Sequence, residues 1–222
     1  MRRVFQYFIK YGGLRMKVLL INGSPHEDGC TYTALREVAG ELEKAGVETE
    51  LFHVGKQPIR GCISCGYCKN KGNKCVFGND TVNTALEKAR DADGFIFGSP
   101  VHYAAASGML TSFLDRFFYA GTVLKYKPGA AVVSCRRGGA AAAFDQLNKY
   151  FTISSMPVVS SQYWNMVHGN TPEEVRQDLE GMQTMRTLGK NMAWLLKSIE
   201  AGRKAGITLP EEEEPQRTNF IR

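Results

Sequence analysis

Residues 17–33 read KVLLINGSPHEDGCTYT, and the fold turns on how this stretch is read. Val18-Leu19-Leu20-Ile21 is a short unbroken apolar run, the pattern of a strand buried on both faces of a parallel sheet. Asn22-Gly23-Ser24-Pro25 stops it as a turn cluster, and Gly29 adds a second flexible point. From Thr31 the period changes, with Ala34, Leu35, Val38, Ala39 and Leu42 at helical spacing up to Lys44. The order is strand, hydroxyl-bearing loop, helix. Such a loop lies where a helix's unpaired N–H groups and positive dipole end point, which suits an anion. Ser24, Thr31 and Thr33 supply hydroxyls and His26 a cation when protonated, a set suited to a phosphate monoester.

The spelling separates three kinds of phosphate loop. G-x-x-x-x-G-K-[ST] is absent, which removes a Walker A site, and without G-x-G-x-x-G a Rossmann pyrophosphate site is disfavoured. A loop with few glycines and several hydroxyls fits a single terminal phosphate, as on FMN. The competing reading is an ordinary strand-to-helix turn whose Ser and Thr cap the helix.

The 222 residues suffice for one domain with a full core. No apolar run is long enough to span a bilayer. The net charge of +6 is modest and its basic residues are scattered, so no nucleic-acid partner is expected and an anionic small ligand explains the balance as well. Residues 1–15 carry Arg2-Arg3 ahead of Phe5. Their apolar patch is broken by Gln6 and Lys10, so they read as an extension or a mis-assigned start before Met16, not as an export signal. The expected location is the cytoplasm, where thiols stay reduced.

Outward from the first unit, 47–54 is a second strand, followed by 55–80, a stretch without helical periodicity that holds four of the six cysteines. Asp80 can cap a helix carrying Val82, Ala85, Leu86 and Ala89. A third strand, 94–98, opens into Ser99-Pro100-Val101-His102-Tyr103 and then a helix with Met109, Leu110, Phe113, Leu114 and Phe117 on one side. A fourth strand at 130–134 leads through Cys135-Arg136-Arg137-Gly138-Gly139 into an Ala-rich helix, and 158–160 is expected as the fifth strand. Thr171-Pro172-Glu173-Glu174 spells a capping box that starts a helix expected to run to about Ala201. The domain is thus bounded at 16–202, with 203–222 as a solvated tail.

Alternating strands and helices call for an α/β fold with a parallel sheet covered on both faces. Ligands of such sheets bind beyond the carboxyl ends of the strands, where the strand order switches. Three loops should gather there: one with hydroxyls after the first strand, one with Pro100 and Tyr103 after the third, and one with Ser134, Arg136, Arg137 and Gly138 after the fourth. Phosphate, flat ring and electron-rich ring edge suit them in turn.

The pair NGSPHEDGCT and GSPVHYAAASGMLTSFLDR resembles the flavodoxin-like NAD(P)H-dependent FMN reductases, and the cysteine segment between them resembles the iron–sulfur flavoprotein branch. The resemblance covers about residues 17–199. It implies a flavodoxin-like three-layer sandwich with a five-stranded parallel sheet, one FMN per subunit, and a homodimer or homotetramer. It assigns the phosphate loop to Ser24, Pro25, Thr31 and the backbone of Gly29, and the ring loop to Ser99, Pro100, Val101 and Tyr103. His26 and Cys30 stand where the family often has arginine and asparagine. No side-chain acid or base is required, because the flavin itself accepts hydride and the protein positions and tunes it. Arg136 or Arg137 near the ring would favour its anionic reduced form; the alternative is solvent-facing salt bridges. Tyr103 either stacks on the ring or caps the core.

The cysteines run Cys62-x2-Cys65-x2-Cys68-x6-Cys75. Three thiolates at this spacing can hold one corner of a cubane while a fourth reaches across, so one [4Fe–4S] cluster is the sharper reading. Four-thiolate zinc and four free thiols remain open. Electrons would pass to a small-molecule acceptor or a redox protein such as ferredoxin. Two rivals stand beside this reading. One is a flavodoxin-type electron carrier. The other is a C-x5-R phosphatase spelled by Cys30 and Arg36, though the residues after Cys30 already read as helix.

Overall fold

The computed structural model describes residues 16–216, 218 and 220 with the exception of 122; the expected extension at 1–15 lies outside the described residues. Helix α1 (Cys30–Lys44) follows β1 (Lys17–Asn22) directly. Then come β2 (Glu48–His53), the short α2 (Tyr67–Lys71), α3 (Val82–Arg90), β3 (Gly94–His102) and β4 (Ala105–Ala106). The chain closes with α4 (Gly108–Ala120), β5 (Gly129–Cys135), α5 (Ala140–Ile153), β6 (Met166–His168), α6 (Pro172–Gln177) and α7 (Leu179–Lys204).

Five strands pair in parallel in the order β2-β1-β3-β5-β6, the flavodoxin-like order with its switch between β1 and β3. The short β4 adds a sixth, antiparallel to the end of β3. Alternation along the strands splits the core in two. Leu19, Ile21, Phe95, Phe97, Ala131 and Val133 face a cluster with residues of α3, α4 and α5. Val18, Leu20, Ile96, Ala130 and Val132 face another with α1 and α7. Burial on both faces is why β1, β3 and β5 read as unbroken apolar runs.

Three expectations need correction. The fifth parallel strand is β6, not 158–160, and Val158 makes only an isolated bridge to Gly129. The intervening chain leaves the sheet because the Ser161 hydroxyl bonds the Tyr163 carbonyl at 2.6 Å and Asn165 Oδ1 at 2.7 Å, closing a turn in place of a ladder. The single helix from 171 is two helices. Thr171 does cap Glu174 N–H, and Glu174 reaches back to Asn170 N–H at 2.6 Å, but Asp178 ends α6. Its carboxylate accepts from Gly181 N–H at 2.9 Å and His168 N–H at 2.7 Å, which starts α7 and pins it to β6. Segment 55–80 holds one helical turn, α2, which includes Cys68.

Candidate functional site

Three loops meet beyond the carboxyl ends of β1, β3 and β5. The first is shaped by Asn22, fully buried at the end of β1. Asn22 Oδ1 accepts from Ser24 N–H at 3.0 Å, and its amide donates to the Glu27 carbonyl at 3.0 Å. His53, the last residue of β2, donates Nε2–H to the Ser24 carbonyl at 2.8 Å. Ser24 Oγ accepts from His26 N–H at 3.1 Å, which leaves its own proton to donate. Gly23 is needed here because a Cβ would lie 2.7 Å from Leu110. No side chain caps α1, so its first-turn N–H groups point at this loop with none of the capping groups that Ser or Thr would supply. That donor set fits a phosphate. Pro25 is half-buried and His26 exposed.

Thr31 is turned inward. Its hydroxyl meets that of Ser134 at 2.8 Å, and both residues are buried. Thr31 thus ties α1 to the end of β5, while its backbone stays in the uncapped first turn. Cys30 lies beside it with its thiol 3.7 Å from the Gly169 carbonyl. Burial pushes that thiol's pKa up, and Glu174 and Glu173 add to the effect. Arg36 sits on the exposed side of the same helix, 3.3 Å from Glu43. Cys30 is thus turned to Gly169 and Arg36 to Glu43, so the two do not come together as a C-x5-R phosphatase site would bring them.

The ring loop is a hairpin. Ser99–His102 continue β3, and Val101 pairs with Ala106, His102 with Ala105. Tyr103 (φ 52°) and Ala104 (φ 57°) form its two-residue turn, left-handed at both positions as a type I′ turn requires. Neither is glycine or asparagine, and such backbone costs about 1–3 kcal/mol per residue. Packing sustains it: a Cβ on Gly139 (φ 89°) would fall 2.6 Å from Ala104 Cα, so the hairpin tip rests on the third loop. The Tyr103 ring is wholly exposed, which removes the core-capping reading. Ser99 Oγ accepts from Ser107 N–H at 2.9 Å, and Ser107 Oγ donates to the Gly23 carbonyl at 2.8 Å, joining the ring loop to the first loop. In the third loop Arg136, Arg137 and Gly138 are exposed, and neither arginine pairs with an acid among the described residues. Cys135 shapes this turn, its sulfur accepting from Arg137 N–H at 3.3 Å.

Cys62, Cys65, Cys68 and Cys75 are all free thiols and all line one pocket, with Phe77, Arg116 and Tyr119. Among the described residues no three His, Cys, Asp or Glu side chains form a group that could hold a metal ion. A lone tetrahedral zinc ion needs thiolates about 3.8 Å apart, from Zn–S bonds of ~2.3 Å. Four thiols around one pocket are in kind the donor set of either a four-thiolate zinc ion or a cluster.

A parallel sheet in this order, with an uncapped helix start and two further loops at its switch point, defines a flavodoxin-like protein. Solved structures agree on the fold. NAD(P)H:quinone oxidoreductase from Methanothermobacter marburgensis superposes with a TM-score of 0.60 at 17% identity, over 81% of this chain and 96% of that one. A flavodoxin, a WrbA-like protein from Agrobacterium tumefaciens, superposes at 0.56 and 16% identity, over 83% and 99%. An iron-sulfur flavoprotein of Methanocaldococcus jannaschii is 35% identical over 194 residues, 83% of this chain and all of that one. Residues 16–171 match the family described as NADPH-dependent FMN reductase, and the chain belongs to that family, within its iron–sulfur flavoprotein branch. It is an FMN-dependent oxidoreductase that draws on NAD(P)H.

Sequence reasoning missed Asn22, His53, Ser107, Asp80 and Arg116 in their present roles. Asn22-Gly-Ser is a legible Asx-turn signal; the His53–Ser24, Ser107–Gly23 and Arg116–Asp80 contacts join residues 29 or more apart and leave no local trace.

Proposed function

We propose that FMN lies across the three loops. Its phosphate is held by Ser24, the N–H groups of Gly29, Cys30 and Thr31, and His26 when protonated, with Pro25 shaping the turn. Pro100, Val101 and Tyr103 would face its ring from the second loop, and Arg136, Arg137 and Gly138 from the third, while the expected Ser99 and Ser134 are buried and hold those loops in place. The observation that carries this is the convergence of the three loops through Ser107–Gly23, Thr31–Ser134 and Ala104–Gly139. Bound FMN supplies hydride and single-electron chemistry. The residues then bind, orient and screen it. The two unpaired arginines offer positive charge where negative charge develops on the ring edge. Tyr103, held outward on a strained turn, covers the ring or the incoming nicotinamide.

Cys62, Cys65, Cys68 and Cys75 would ligate one [4Fe–4S] cluster, and Lys69 and Lys74 beside them would offset its negative charge. The reading includes a homodimer or homotetramer in the cytoplasm, and a small-molecule acceptor or a redox protein such as ferredoxin as partner.

Anaerobically purified protein tests this. Flavin absorbance that bleaches on adding NADPH or NADH supports it. Bleaching by reduced ferredoxin alone favours an electron carrier, and no flavin uptake on reconstitution removes the FMN site. Iron and sulfide at about four each per chain support the cluster.

A further inference from the structure

Arg116, on α4, is 1% exposed, and every donor it has is committed. Nε donates to Cys75 Sγ at 3.2 Å. One terminal nitrogen donates to the Arg60 carbonyl at 3.1 Å and to Asp80 Oδ2. The other donates to the Phe77 carbonyl at 3.3 Å and Asp80 Oδ1 at 3.1 Å. A guanidinium has five N–H groups, and here all five have acceptors. Every acceptor lies within 60–80, the segment that carries the four cysteines. The Phe77 ring covers the guanidinium from 5.1 Å.

The contacts divide into two kinds. Those to Arg60, Phe77 and Asp80 hold the shape of the segment, and any buried arginine used as a brace would make them. The contact to Cys75 is different, because it places a buried positive charge and a hydrogen-bond donor on a sulfur that would be a cluster ligand. Hydrogen bonds to ligand sulfurs and nearby positive charge stabilise the more negative, reduced cluster and raise its potential. The fork geometry matters, since lysine could not reach the sulfur and the carboxylate together.

We propose that Arg116 is the positioning residue of the cysteine segment: it holds 60–80 in its cluster-receiving shape and, through Nε–H on Cys75 Sγ, raises the reduction potential of the cluster. This rests on the cluster reading given above. Asp80, 6% exposed in its side chain, orients the guanidinium and balances its charge. The same helix begins at Ser107 against the first FMN loop, nine residues from Arg116, or about 14 Å of helical rise. One rigid element therefore fixes both sites.

The test is Arg116→Gln combined with Asp80→Asn, which removes the ion pair without leaving either charge buried alone. Both proteins are reconstituted anaerobically with iron and sulfide, then compared for iron, sulfide and FMN content, melting temperature and cluster reduction potential. Since the guanidinium is nearer the sulfur than the carboxylate, the variant's potential should fall. The expected change is about tenfold in the preference for the reduced state, or ~59 mV for one electron. A variant with wild-type FMN content and melting temperature but no cluster supports the proposal equally, as failure of positioning. A fully loaded variant with the wild-type potential overturns it. So does loss of flavin and cluster together, which would make Arg116 a general core residue. Wild-type protein that takes up no iron defeats the cluster reading itself, and that outcome is distinct from a loaded variant with unchanged potential.

Discussion

The hydroxyls of Thr31 and Ser134 meet at 2.8 Å across 103 residues of sequence, and tie the first turn of α1 to the end of β5. Both are buried, so each is the other's main partner. Ser134→Ala strands the Thr31 hydroxyl and should cost about 1–3 kcal/mol in denaturant unfolding. Thr31→Val with Ser134→Ala removes both ends and should cost less than the sum of the single variants. An additive double-mutant cycle would show that the pair is not coupled.

Asn22 sets the shape of the first loop before any ligand arrives. Asn22→Ala leaves Ser24 N–H and the Glu27 carbonyl without their side-chain partners. The loss should be about 1–3 kcal/mol, seen as a roughly tenfold or greater rise in Kd for FMN when apoprotein is titrated by fluorescence. An unchanged Kd would mean that the loop holds its form without this turn.

Neighbouring glycines in the third loop should behave in opposite ways. Gly139→Ala combines a left-handed backbone with a Cβ 2.6 Å from Ala104 Cα, so a loss above about 1–2 kcal/mol is expected, together with weaker FMN binding. Gly138→Ala meets nothing within 4 Å and should leave the melting temperature unchanged. Thermal melts and FMN titrations of the two variants check this.

Glu50 gives the stability curve part of its acid limb. Burial opposes its ionisation, but hydrogen bonds from Lys17 and Lys88 outweigh it and hold the pKa below the ordinary glutamate value. A lowered folded-state pKa contributes stability that is present above the unfolded pKa and lost as pH falls through the folded one. Glu50→Gln should therefore flatten the fall in melting temperature below about pH 4.5 and cost up to about 1 kcal/mol at pH 7. A parallel curve for the variant would remove Glu50 from the acid response.

The expected fifth strand and the expected long helix failed for a shared reason. At Val158 the residue pattern is right for a strand, yet the Ser161 hydroxyl captures the chain in a turn and the ladder resumes only at Met166. At Asp178 helical periodicity continues on both sides, yet the carboxylate bonds Gly181 and His168 and breaks the helix. In each case a polar side chain offers the backbone a partner that periodicity does not register.

Local signals determined the rest of the architecture. Apolar runs of strand length, a change of period at a turn cluster, and a capping box at Thr171 report hydrogen bonding and burial within a few residues, so they can be read from the chain alone. The hydroxyl-bearing loop after β1 and the four-cysteine spacing are legible in the same way. Only the tertiary structure decided that the Thr31 hydroxyl faces Ser134, that Tyr103 stands fully exposed on a strained turn, and that Arg116 gathers the cysteine segment. Each of these depends on which distant groups the sheet order brings within hydrogen-bonding or packing distance. Side-chain direction at such points follows from the partner found after folding, and the residue's own neighbours in sequence do not encode it.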